Sequence, residues 1–345
     1  MRAYGRRWLL ALAAGMLAGA TACTGDAAPP ATTRPAAATT ATPTPTATPS
    51  PSLVAITRAE AAEVFTGVTL ADDRLRARSR LQEGRLRLAI EGLTTGGQSS
   101  LVAAAYLSTG YAPPRYRWGT PTFYVPRFGP QEPAPWFSAL VTRDGQPTLL
   151  TFTKSDLWRL SSVAQLLPGQ KMPEIALDAE GYATALAADD KSVTISPQFM
   201  QPVHASVAET GSSGVTAGLV AAGPYTTEVA EQIAELREKA KADGFSYDSI
   251  FSADNFPVYA LRTADGGALI QYSLSRTTTT TTKTAEDDYI PVPDAARWSV
   301  GSTVLRRTLR LVETHQFATA VPPIAKAGAA AVIAHDGALT RAYGT

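Results

Sequence analysis

One thiol and three imidazoles are the chain's clearest candidates for reactive chemistry, and their spacing decides what they could do. Cys23 is the single cysteine in 345 residues, so no disulfide can form within the chain and no thiolate pair can hold a metal. His204, His315 and His335 lack a second His or a Cys at ligand spacing, and each is expected to be structural. His335 sits in His-Asp-Gly, which reads as the turn of a hairpin over 330–343. No HExxH, phosphate loop or G-x-S-x-G occurs; "TGSSG" (210–214) lacks the spacing of a nucleophile elbow, and no Ser has a Lys three residues on. The acid pairs Asp72-Asp73, Asp189-Asp190 and Asp287-Asp288 read as exposed helix starts or loops, without the surrounding pattern of a calcium loop. No catalytic residue, metal site or cofactor is therefore assigned. Catalysis here would need dispersed residues.

The setting of Cys23 points to export. Arg2, Arg6 and Arg7 precede an apolar run, Trp8 to Leu17, and small residues lead on to the cysteine. That is the order of a secretory signal peptide, and the run is too short for a spanning helix of about 20 residues. Ala20-Thr21-Ala22 is an A-x-A site, so cleavage is expected after Ala22, making 1–22 the signal. The segment also resembles a bacterial lipobox, with Ala20 where Leu is usual. A secreted chain would otherwise carry an exposed, oxidisable thiol with nothing to pair with. Cys23 is accordingly read as a lipid attachment site, plain secretion being the alternative. Each buried methylene contributes about 0.8 kcal/mol, and two acyl chains hold where one is marginal. Arg6-Arg7 also resembles a twin-arginine export signal, so the export route stays open between the general and twin-arginine systems.

A tether follows. From Thr24 to Ser52 every residue except Gly25, Asp26 and Arg34 is Ala, Thr, Pro or Ser, so nothing there can bury enough surface to offset chain entropy. Residues 23–52 are read as a lipidated cysteine on a disordered spacer, extended at about 3 Å per residue and reaching roughly 90 Å. Its Thr/Pro tract suits a bare spacer or an O-glycosylated stalk.

The body, 53–345, is long enough for two ordinary domains. Losing 1–22 removes three of the 31 basic residues and none of the 30 acidic ones, which leaves a slightly acidic protein with no footprint for nucleic acid. "ALVTRDG" (139–145) and "ALRTADG" (260–266) match at five of seven positions, each with an apolar run on either side of Asp-Gly, a strong hairpin signal. Thr57 and Glu60 form a capping box ahead of "AEAAEVF". The arginine-rich 70–93 is read as helix on composition, although its alternation also fits a strand. In 226–244, Val229, Ile233, Leu236 and Ala240 form one stripe, and Asp243-Gly244 supplies the stop. Strands are expected at 257–263, 268–282 and 302–321. The fold class is thus α+β, in two tandem helix-plus-antiparallel-sheet halves: a first domain at 53–188, a connector at 189–224, and a second domain at 225–345.

Two features suit binding. Nine of the 27 aromatics fall between Tyr106 and Phe137 among prolines, and Tyr116, Trp118 and Tyr124 could line a stiff groove for a sugar or peptide. The other reading makes those rings the core of the first half. The threonine run 277–282 is expected as an edge strand blunted by Lys283 and the acids that follow, with partner strand addition as the alternative.

The signal with Cys23, the Ala/Thr/Pro tether, "ITRAEAAEVF" (56–65) and "PEIALDAEGYATAL" (173–186) together resemble a family of uncharacterised actinobacterial lipoproteins that carry a domain of unknown function. The resemblance implies a cell-membrane location on the extracytoplasmic face, through an N-terminal lipid such as palmitate, and implies no activity. Halves built as helix then curved sheet also look like cystatin or NTF2-like rolls, a class that hosts both enzymes and binders. The expected function is a non-catalytic surface lipoprotein that binds a cell-envelope protein, polysaccharide or other ligand. The alternatives are an envelope hydrolase with its site between the halves, or a structural cell-surface spacer.

Overall fold

Thr57 opens the first helix as the residue pattern requires: its hydroxyl accepts from the Glu60 amide at 3.1 Å, and Glu60 accepts from the Thr57 amide at 2.6 Å. The computed structural model describes residues 56–77, 82–128, 134–283 and 289–345. The signal peptide, Ala22, Cys23, the tether and Asp287-Asp288 lie outside the described residues. Pro51–Thr345 forms one compact unit.

Helix α1 (Arg58–Arg76) buries Ala61, Phe65 and Val68, which share its inner face. Phe65 meets Trp118, Phe123 and Phe152 edge-to-face, with centroids 6.0–6.4 Å apart. Burying one such ring contributes about 1.5–3 kcal/mol. The arginine-rich stretch is helical in the end of α1, in α2 (Gln82–Leu88) and in a π-helical turn (Ala89–Leu93), while 78–81, half of its alternating pattern, lie outside the described residues. Helix α3 (Gly97–Ser108) follows. Helix α4 (Pro197–Thr210) occupies the middle of the segment expected as a connector and puts Met200, Val207 and Ala208 into a core. Helix α5 (Thr227–Ala242) buries Val229 and Ile233, but the expected stripe fades after them, since Leu236 is 43% exposed.

The strands are β1 (Thr122–Tyr124), β2 (Pro126–Arg127), β3 (Trp136–Arg143), β4 (Gln146–Lys154), β5 (Trp158–Leu166), β6 (Ala183–Thr184), β7 (Phe245–Ser252), β8 (Tyr259–Arg262), β9 (Ala268–Thr282), β10 (Ile290–Pro291), β11 (Val304–Leu305), β12 (Thr308–Val321) and β13 (Ala331–Gly344). Nine of them form one antiparallel sheet in the order β1-β3-β4-β5-β13-β12-β9-β7, and β8 pairs with the start of β9. The protein is thus mixed α and β, with a large antiparallel sheet. Strands from both expected halves share it: β13 joins β5 through Ala334↔Leu166 and His335↔Gln165.

Both Asp-Gly hairpins form. Asp144 and Gly145, at φ 52° and 85°, turn β3 into β4, and Gly266 at φ 85° turns β8 into β9. Asp336-Gly337, expected as the turn of a last hairpin, does not turn. His335, Asp336 and Gly337 lie within unbroken β13, paired to Phe317, Gln316 and His315 of β12. The expected hairpin at 330–343 is corrected to a single strand whose partners, β12 and β5, both precede it. Gly337 serves a different need: a Cβ there would stand 2.6 Å from His315 Nδ1 and 3.0 Å from His335 Nε2. The threonine run is corrected too. Thr277–Thr282 pair with β7 on one side, and Thr277–Thr281 pair with β12 on the other, so this stretch is interior and β7 is the edge. "SVTIS" contributes only a bridge, Val193 to Pro323.

Candidate functional site

The Asp144-Gly145 hairpin also positions the aromatic loop before it. The Arg117 amide donates to Asp144 Oδ1 at 2.9 Å, the Asp144 amide donates to the Arg117 carbonyl at 2.9 Å, and the Gly119 amide donates to the Thr142 carbonyl at 2.9 Å. These bonds hold Tyr116 and Trp118 against the end of β3, beside Arg143. There they border a cavity of about 460 Å³. Its walls come from α1 (Val68, Asp72, Arg76), α3 (Gln98, Leu101, Ala105), β5 (Leu160, Val163) and β13 (Asp336, Leu339), and Trp298 also borders it. A pocket of this size, mostly apolar with a few placed polar groups, is the usual form of a small-molecule site.

Tyr116 is clamped between two guanidiniums: the Arg76 Cζ lies 4.8 Å from its centroid and the Arg143 Cζ 5.0 Å. It also meets Trp118 edge-to-face at 5.9 Å. Each Arg holds a carboxylate. Arg76 Nε donates to Asp72 Oδ2 at 2.6 Å and its Nη1 to the Pro114 carbonyl at 2.9 Å, while Arg143 Nη2 donates to Asp336 Oδ2 at 2.9 Å. Burial opposes the charge of Arg76, but Asp72 and the neighbouring tyrosines more than offset it, so its pKa is raised. The third acid of the lining, Asp294, pairs with Arg297 at 2.8 Å. Asp72, expected in an exposed helix start or loop, instead belongs to the last turns of α1 and this half-buried pair.

Of the three aromatics expected to share a groove, Tyr116 and Trp118 border the cavity. Tyr124 packs elsewhere, against the cluster that holds Phe128, Trp136 and Tyr259, where burial raises its pKa. Sequence reasoning missed Gln98, Arg76, Arg143, Asp336 and Trp298. Only the Asp-Gly turn beside Arg143 offered a local signal. Asp336 was hidden by the turn assigned to it.

The histidines, read as isolated, are brought together away from the cavity. His315 Nδ1 lies 3.0 Å from His335 Nε2, and the His335 ring stacks on Tyr225 at 3.9 Å. His204 Nε2 is 2.7 Å from the Tyr225 carbonyl, which can only accept, so Nε2 carries the proton. Its Nδ1 then accepts from the Tyr272 hydroxyl at 2.7 Å, and Tyr272 accepts in turn from Thr319 at 2.8 Å. Burial pulls His204 down to about 4 and, with Arg276 adding, His315 to about 4. His335 falls to about 3, through burial and then the neighbouring imidazoles. These rings are neutral near pH 7, packed around Phe317, whose ring centroid lies 4.5–6.0 Å from theirs. No group of three or more His, Cys, Asp or Glu suited to a metal ion occurs among the described residues. Nor is any helix among them long and apolar enough to cross a membrane.

The family described as a domain of unknown function, DUF8094, matches residues 52–344. An uncharacterized lipoprotein of Streptomyces coelicolor is 33% identical over 180 residues, which are 48% of this chain and 49% of that protein. The match thus spans about half the length of that relative. No solved structure matches the chain.

Proposed function

We propose, from the premise that the chain belongs to the DUF8094 family, that it is a lipid-anchored envelope protein whose folded body captures a small molecule without transforming it. The observation that carries this reading is the cavity of about 460 Å³ beside the Tyr116 clamp. Each acid on its wall is engaged by an arginine, and no histidine lines it, so the described lining offers no evident acid–base pair. Anchoring at Cys23 is supported by the lipoprotein name of the Streptomyces relative and by the residues before the cysteine. The tandem halves remain part of the proposal as two cystatin- or NTF2-like units merged along β5 and β13, supported by the matching hairpins β3–β4 and β8–β9.

Two measurements test this. Cells fed labelled palmitate are expected to label the wild type and not Cys23→Ser, and the serine variant is expected to leave the membrane fraction; unchanged sedimentation would remove the anchor. For capture, native mass spectrometry of protein purified from the producing envelope is expected to show a noncovalent adduct. Ala105→Phe, which fills the cavity from α3, should lose that adduct while keeping its circular dichroism. An adduct-free wild type, or an adduct that survives the filling, would overturn the reading.

A further inference from the structure

We infer that the cavity takes a neutral, mainly apolar molecule bearing one hydroxyl or amide, with Gln98 as the residue that recognises this polar group. The inference rests on the proposed capture role and specifies its ligand. Gln98 is only 8% exposed, borders the cavity from the first turn of α3, and its Oε1 is buried with no hydrogen-bond partner. A buried amide oxygen left without a partner costs about 1–3 kcal/mol, and native proteins rarely keep one without use. Rotation about its last torsion exchanges oxygen for NH2, so the same side chain can accept from a ligand O–H or donate to a ligand carbonyl.

The charged groups argue for neutrality. Arg76 holds Asp72, Arg143 holds Asp336, and Arg297 holds Asp294. An anionic ligand would meet the Asp72 and Asp336 carboxylates beside those guanidiniums, and a cationic one would meet the guanidiniums themselves, so neither sign of charge is favoured. Most of the remaining lining is aliphatic or aromatic, Leu93, Leu101, Val102, Leu160, Leu339 and Trp118, beside the hydroxyls of Ser108 and of Thr94, which is already bonded to the Ala89 and Ile90 carbonyls. Such walls reward an apolar body by area, and Gln98 Oε1 is the buried oxygen of the described lining that has no partner of its own.

The test titrates the full-length protein by calorimetry with three probes that share one alkyl chain: decan-1-ol, 1-fluorodecane and decanoate. Decan-1-ol is expected to bind about tenfold more tightly than 1-fluorodecane, the value of one satisfied buried hydrogen bond. Decanoate is expected to be the weakest. In Gln98→Leu, and in Gln98→Met as a second variant of similar volume, the preference for the alcohol should fall below about twofold while 1-fluorodecane binding is retained. Equal affinities of alcohol and fluoride for the wild type, or decanoate binding tightest, would overturn this inference and leave the capture role standing. Failure of all three probes to bind the wild type would overturn the apolar capture site itself.

Discussion

Lowering the pH from 7 to 5 is expected to destabilise the protein by several kcal/mol, because three buried imidazoles must take up protons that their folded sites refuse. His204 and His315 are held near 4 and His335 near 3, against an unfolded value of about 6.5. The folded pKa values are depressed, so below about 6.5 the unfolded chain binds more protons. Stability is therefore fully present above that pH and is lost as the pH falls towards the folded values. Each histidine contributes a slope of about 1.4 kcal/mol per pH unit in that window, roughly 2 kcal/mol by pH 5. The stack and hydrogen bonds joining His335, Tyr225 and His204 make the loss cooperative. Urea unfolding followed by circular dichroism at pH 7, 6 and 5 measures it. His335→Gln, which removes one proton acceptor from the cluster, should flatten the dependence. A midpoint unchanged between pH 7 and 5 would contradict the neutral, buried cluster.

The second large effect is expected at the cavity wall. Asp72→Ala removes the carboxylate that neutralises Arg76, whose side chain is only 4% exposed. Stranding a buried charge typically costs about 3–5 kcal/mol, far more than an exposed pair is worth. The paired change Asp72→Leu with Arg76→Met should recover much of that loss, because it removes both charges together. It should not recover all of it, since Arg76 also bonds the Pro114 carbonyl and stacks on Tyr116. Chemical denaturation of the two variants against the wild type decides it; a single-variant loss below about 1 kcal/mol would show the pair to be solvated.

What was legible in the residues was local. The Thr57/Glu60 box, the first turns of the α5 stripe and the hairpins at Asp144-Gly145 and Asp265-Gly266 are each written within about ten residues, and each forms. Strand partners were not legible, because β5 meets β13 across more than 160 residues and no composition shift marks the junction. His-Asp-Gly shows how one local rule can mislead. The glycine allows the His315 and His335 rings to close on each other, and the aspartate reaches across to Arg143. Both residues answer to tertiary neighbours rather than to a turn. The cavity was legible only in part: its aromatic loop stood out by composition, while Gln98 looks like any helical glutamine until its surroundings are known.

The placement of β13 has a kinetic consequence. This late segment enters the middle of the sheet, between β5 and β12, so neither neighbour can complete its hydrogen-bonding ladder until residues 331–344 arrive. Such nonlocal closure makes folding slow. Until then the growing polypeptide exposes two sticky margins at once, a state that would reward a chaperone able to shield both.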